Sequence, residues 1–353
     1  MNAEPDVIVE REGHAGIIRL NRPKALNALN LPMVREIDAA LKKFGADNQV
    51  ALVLVEGAGE RGLCAGGDIV GLYHSSREGG RLGHDFFREE YIVNAAIAAF
   101  PKPYVAYMDG IVMGGGVGLS GHGSHRIVTE KTRMAMPETG IGFFPDVGGT
   151  WLLSRAPGEV GTFFALTAHN LSGADAIYAG LADVQIETAS WPALRARLLD
   201  VPAHADAAMV RVLMDAAAVK TGPSYAEQNR AAIDRLFAHD SIERIVAALE
   251  SDGSDFAAET LKALLSKSPT SLKVTLKLLR EARASKSLEE ALAREYRASL
   301  EVFVSDEFRE GVRAAVIDKD RRPKWSPAQI RDVTPEIVGR YFVHRGPHEL
   351  TFK

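Results

Sequence analysis

Residues 101–129 read PKPYVAYMDGIVMGGGVGLSGHGSHRIVT, and their order of prolines, apolar residues and glycines decides the fold class. Pro101 and Pro103 hold the chain extended. YVAYM at 104–108 then has the continuous apolar character of a strand buried on both faces. A glycine-dense run follows at 113–123, and a second strand pattern opens at His125 and runs to Thr129. Within that run Gly116, Gly118 and Gly121 match the G-x-G-x-x-G dinucleotide fingerprint. The fingerprint needs a helix long enough to carry the chain back to a parallel strand, with an acid about 20 residues on. Gly118, Gly121 and Gly123 weaken the short helix that would have to do this, so nicotinamide binding is not expected.

Outward from this stretch, short strand and helix patterns alternate. Residues 7–10 and 16–21 form a hairpin pair around a turn at 11–14 containing Gly13. Residues 31–44 have helical spacing through Val34, Ile37, Leu41 and Phe44, with Asn30 as N-cap ahead of Pro32. A buried strand is expected at 51–55, a helix at 85–100 and a strand at 133–136. This alternation argues for an α/β core. From about residue 157 helical patterns take over, including 160–168, 225–238, 271–284 and 288–304, separated by short polar breaks. The expected division is a core over residues 1–205 and a helical C-terminal region over 206–353.

Composition narrows the function classes. The chain has 353 residues, 46% hydrophobic and 25% charged, with a formal charge of −4. No basic field exists to hold nucleic acid. No apolar stretch approaches the ~20 residues of a membrane span. Cys64 is the single cysteine, which fits a reducing compartment. The acidic start MNAEPDVIVEREG has neither a signal-peptide nor a transit pattern. A cytoplasmic protein is expected. The ten histidines form no H-E-x-x-H pattern, so no metal is expected.

The chemistry concentrates in MPETGIGFFPDVGGT at 136–150, where Glu138 and Asp146 stand among glycines, with Phe143 and Phe144 as an apolar wall that raises carboxyl pKa values. GLCAGGD at 62–68 and Gly114–Gly115–Gly116 each follow a strand. Two such turns can aim one backbone N–H each at a single oxygen, the arrangement acyl chemistry uses. Plainer readings stand beside these. Asp146 can N-cap a helix from Thr150, and Asp68 can cap the helix after its turn. By spacing alone Glu90 is a solvated helix charge paired with Arg88 or Asn94. Ser120 reads as a packed serine, Cys64 as part of a buried turn, and 318–324 as a solvated charge run.

Taken together, LNRPKALNALN (20–30), GLCAGGDI (62–69), MGGGVGLSGHG (113–123), AMPETGIGFFPDVGGTWLL (135–153), SPTSLKVTL (268–276), EGVRAAVIDKD (310–320) and PKW (323–325) resemble the crotonase (enoyl-CoA hydratase/isomerase) superfamily. PETGIGFFPDVGG and EGVRAAVIDKD resemble its 3-hydroxyisobutyryl-CoA hydrolase branch. The resemblance implies a crotonase-like spiral of repeated ββα units followed by a helical C-terminal region. It implies a coenzyme A thioester as substrate, and no cofactor beyond it. The carbonyl oxygen would lie on the amides of Gly67 and Gly115, with Glu138 and Asp146 catalytic and Glu90 holding substrate. Lys24, Ala25, Leu26, Ala65 and Gly66 would line the adenosine and pantetheine arm. Gly118 falls where hydratases carry a second catalytic glutamate, which disfavours hydration. The expected activity is hydrolysis of a short branched 3-hydroxyacyl-CoA, foremost 3-hydroxyisobutyryl-CoA of valine breakdown. Another crotonase reaction, or acyl-CoA binding without turnover, is the alternative. Homo-oligomers, often trimers, are common in the superfamily.

Overall fold

A computed structural model describes residues 4–352; residues 1–3, which head the acidic N-terminal stretch, and residue 353 lie outside the described residues. The strands are β1 (Val7–Glu12), β2 (Ala15–Leu20), β3 (Leu52–Gly57), β4 (Gly62–Cys64), β5 (Tyr104–Met108), β6 (Ile111–Met113), β7 (His125–Thr129), β8 (Arg133–Ala135) and β9 (Val184–Ile186). The helices of the first half are α1 (Leu31–Ala46), α2 (Ile69–Arg77), α3 (Leu82–Ala98), α4 (Gly115–Ser120), α5 (Gly149–Ser154), α6 (Val160–Thr167) and α7 (Gly173–Tyr178). Then come α8 (Trp191–Leu199), α9 (Ala207–Ala217), α10 (Tyr225–Gln228), α11 (Arg230–Phe237), α12 (Ile242–Asp252) and α13 (Asp255–Leu265). The last are α14 (Pro269–Ala284), α15 (Leu288–Phe303), α16 (Asp306–Val312) and α17 (Pro335–Arg340).

The large sheet has the order β1-β2-β3-β5-β7-β9, antiparallel between β1 and β2 and parallel from β2 onward. The small sheet has the order β4-β6-β8. Each of β3, β5 and β7 is thus followed by a short strand that leaves for the second sheet, and the chain winds as a spiral. This is the architecture the resemblance implies. The hairpin is tighter than expected: Glu12 pairs with Ala15, leaving a two-residue turn that Gly13 permits with φ +57°.

Contacts divide the chain into two compact units that interleave along it, whereas the sequence predicts one boundary between 205 and 206. Among the described residues, one unit comprises 4–67, 92–134 and 171–227, and the other 68–91, 135–170 and 228–352. The first holds the large sheet and α1, whose N-cap Asn30 accepts from the Met33 amide at 2.9 Å. Leu52, Leu54, Val105, Ile127 and Ile186 of the sheet pack with Leu194 and Leu198 of α8 and with Val210 and Met214 of α9. Each such side chain contributes about 1.5–3 kcal/mol on burial. Helix α4 has six residues, too short for the crossover a dinucleotide site requires.

The second unit is helical. The single helix expected over 225–238 is two, α10 and α11, parted at Asn229. Along α15 the apolar stripe through Leu288, Leu292, Tyr296 and Phe303 also buries Glu295 and Ser299 completely. Helix burial of an acid requires partners, and these turn out to belong to the loop carrying Asp146.

Candidate active site

In α3, Phe87, Glu90 and Tyr91 share one face by their i, i+3, i+4 spacing, and all three are buried. Glu90 is 2% exposed and its Oε1 has no partner. The solvated-charge reading is therefore wrong. Arg88 instead donates to the carbonyls of His348 and Glu349 and lies over the Tyr296 ring at 5.0 Å. Asn94 is fully buried, and neither its Oδ1 nor its Nδ2 has a partner.

Glu138 opens a single 3-10 turn, Glu138–Ile141. It is 7% exposed, and its Oε2 is buried with no hydrogen-bond partner. A buried, unsatisfied acceptor costs about 1–3 kcal/mol, an expense that folds keep at functional sites. Asp146, 6% exposed, accepts from the Tyr91 hydroxyl at 2.7 Å, and that hydroxyl also lies 2.6 Å from Ser299 Oγ. Phe143 stacks on Phe144 at 4.7 Å and on Phe87 at 5.5 Å, an apolar stack in the segment of chain between the two acids.

The capping role open to Asp146 is taken by another residue. The N-cap position of α5 is Gly148, and the acid that satisfies its first amides is Glu295. Glu295 Oε2 accepts from Gly148 N at 2.7 Å; Oε1 accepts from Thr150 N at 3.0 Å and from Thr150 Oγ1. Tyr91, Glu295 and Ser299 were not among the expected site residues. The available signal was a glutamate and a serine four apart on the apolar stripe of α15.

Four carboxyls, Glu90, Glu138, Asp146 and Glu295, therefore share a dehydrated setting. Burial raises all four, and each of the other three is raised further by the charge of Asp146. Glu90 and Glu138 go well above the ordinary range. Glu295 reaches about 8, opposed by its bonds to Thr150 and Gly148. Asp146 is held back to about 7 by the Tyr91 hydroxyl and by its own backbone amide. Asp146, at about 7, is placed to exchange its proton near neutral pH, whereas burial and the charge of Asp146 push Glu138 upward.

In the other unit, β4 and β6 run parallel and lead into the two glycine turns. Gly66, with φ +111°, faces the second turn: a Cβ there would lie 3.8 Å from Gly115 N. A Cβ on Gly116 would come within 2.5 Å of the Cys64 carbonyl oxygen, so glycine is what lets the turns close up. Gly115 is the first residue of α4, where a helix leaves amides without internal partners. Ala65 N donates to Leu26 O at 3.0 Å and Leu29 N to Gly66 O at 2.8 Å. Lys24, Ala25 and Leu26 thus adjoin Ala65, Gly66 and Gly67, with Lys24 and Ala25 exposed. Ser120 Oγ donates to Gly116 O at 2.7 Å, a packed serine as expected. Cys64 is fully buried.

The sequence profile of the enoyl-CoA hydratase/isomerase family matches residues 15–342. The chain belongs to this family. Among family members, the rat mitochondrial 3-hydroxyisobutyryl-CoA hydrolase is 46% identical over 98% of this chain and 91% of its own length. A crystal structure described as a carnitinyl-CoA dehydratase, from Mycobacterium thermoresistibile, superposes with a TM-score of 0.93 at 43% identity, covering 99% of both chains. One described as an enoyl-CoA hydratase, from Rhodobacter sphaeroides 2.4.1, gives 0.90 at 43% identity, over 99% of this chain and all of its own. The mitochondrial address of the rat relative, like those of its mouse and cattle counterparts, corrects the cytoplasmic expectation. A lone cysteine reports on redox state and cannot tell one reducing compartment from another. Among the described residues no helix is long and apolar enough to cross a membrane.

Proposed function

We propose that this protein hydrolyses a short branched 3-hydroxyacyl-CoA thioester, foremost 3-hydroxyisobutyryl-CoA, to the free acid and coenzyme A. The observation that carries the reading is Glu138: a buried carboxyl with one oxygen unpartnered, beside an Asp146 already held by Tyr91. The name and 46% identity of the rat hydrolase support the same reaction.

The amides of Gly67 and Gly115 receive the thioester oxygen as it becomes an oxyanion, where one such donor is worth about 3–4 kcal/mol. Ionised Asp146 takes the Glu138 proton. Glu138 then attacks the carbonyl carbon, the C–S bond breaks, and Asp146 passes that proton to the departing thiolate. Water then adds to the Glu138 carbonyl carbon of the anhydride and gives one proton to Asp146. The bond to the acyl group breaks, which releases the acyl carboxylate and leaves Glu138 as its carboxylic acid with one oxygen from water, and Asp146 returns its proton to solvent. In the alternative course Glu138 acts as general base on water and no anhydride forms. Glu90 binds the acyl hydroxyl with its unpartnered oxygen, and the coenzyme arm runs past residues 24–26, Ala65 and Gly66. Amides and carboxyls suffice, with no cofactor.

The names of the two superposing structures favour a hydratase-type reaction as the second reading. It requires a second acid, and Gly118 has no side chain. Thiol release against loss of enoyl absorbance separates the two, and absence of both leaves a binding protein. Glu138→Gln should lower thiol release at least 1,000-fold with substrate binding kept; near-normal turnover refutes the assignment. Single-turnover oxygen-18 label found in Glu138 identifies the anhydride course, and its absence the water course.

A further inference from the structure

Asp146 is followed by two consecutive residues in the left-handed region, Val147 at φ +53° and Gly148 at φ +77°. Glycine adopts this freely, but a β-branched residue there is strained. Such strain persists only where surrounding structure over-determines it. Upstream of the turn, the Tyr91 hydroxyl holds the Asp146 carboxyl. Downstream, Glu295 takes three donors from Gly148 and Thr150 on its two oxygens. Glu295 is itself fully buried in the sixteen-residue α15, so it cannot follow the loop if the loop relaxes. Ser299, one turn along α15, reaches the Tyr91 hydroxyl, so a single rigid helix governs both ends of the strained segment.

We infer that Glu295 is a positioning residue for the hydrolysis: it clamps the strained Val147–Gly148 turn and thereby fixes the aim of the Asp146 carboxyl. The inference rests on the proposed role of Asp146 and adds a residue that never touches substrate. A glutamine at 295 has one acceptor oxygen for two separate donor groups. It satisfies either Gly148 or Thr150 and turns its NH₂ toward the other. The turn then relaxes and Asp146 drifts, and a misplacement of about 1 Å at a reacting group costs roughly 100-fold in rate.

The test is a double-mutant cycle between Glu295→Gln and Asp146→Asn, read as kcat and KM for thiol release. Glu295→Gln alone should lower kcat by about 10–100-fold with KM within about threefold, because a misaimed Asp146 impairs the proton step and not binding. In the Asp146→Asn background the same substitution should cost less than about twofold, since nothing remains to aim. A merely structural clamp would lower kcat by equal factors in both backgrounds, and that result overturns the inference. Unchanged kcat in the single variant overturns it as well. Should Glu295→Gln fail to fold by circular dichroism, Thr150→Val, which removes one donor, serves in the same cycle with a smaller loss. An Asp146→Asn variant that turns over normally refutes the reading of Asp146 itself. A crippled Asp146→Asn with an additive cycle refutes the clamp alone.

Discussion

Replacing Asp146 with asparagine separates what its buried charge costs the fold from what it does in catalysis. The substitution keeps the side-chain shape and an acceptor for the Tyr91 hydroxyl, and removes only the ionisation. Burial lifts this carboxyl from 3.8 to about 7. The unfolded chain therefore releases the proton near pH 4, and the folded protein near pH 7. A group raised in the folded state favours folding while both states are protonated, and the benefit is lost as pH rises through the folded value. Relative to the asparagine variant, the wild type must lose stability between pH 4 and 7 and level off above. The full displacement, from 3.8 to about 7, is worth about 4 kcal/mol at 1.36 kcal/mol per tenfold change in proton affinity. Roughly 2–3 kcal/mol of it falls between pH 5 and 8. For a chain of this length that widens the difference in Tm by about 3–5 °C. Thermal unfolding followed by circular dichroism at intervals from pH 5 to 8.5 measures this directly. Thiol release on the same samples should be down at least 100-fold. A Tm difference that is constant with pH, or a wild type that gains on the variant as pH rises, would refute the argument that the acid cluster holds its protons by dehydration.

Two further outcomes are expected. Tyr91→Phe removes the donor that holds Asp146 down, so the pH–rate limb belonging to Asp146 should move upward by about one pH unit; an unmoved limb would show that another group controls it. Gly116→Ala pushes a methyl to within 2.5 Å of the Cys64 carbonyl. It should cost about 1–3 kcal/mol in stability and reduce kcat by spreading the two glycine turns, and an unchanged Tm would contradict their close approach.

Much of this was legible in the chain, for definite reasons. The strands at 52–57 and 104–108 are apolar runs cut off by glycine, proline or polar turns, and local pattern suffices for those. The spiral is different: β4, β6 and β8 have three residues each, too few to carry a period; local pattern reaches only the last of them, at 133–136, and the spiral itself is implied by the family resemblance alone. Glu90 was misread from spacing because a helix face shows which residues align but not what covers them. The capping choice for Asp146 failed for a related reason. Local sequence supplied an acid at a plausible offset, but the acid that caps α5 comes from position 295. Contacts of that sequence separation leave no trace in a local window. Glu295 was detectable only as a charge on an apolar stripe, a pattern usually settled by solvent or by a salt bridge.

The distance along the chain between Thr150 and Glu295, 145 residues, has a consequence during synthesis. Ribosomes add about 5–20 residues per second, so for roughly 7–30 s a nascent chain carries Glu138 and Asp146 without the anchor of their loop. Competence for thioester cleavage should therefore appear abruptly once the α15 segment has left the exit tunnel, and a stalled or prematurely terminated chain ending before residue 295 should be inert however much of its β-spiral has formed.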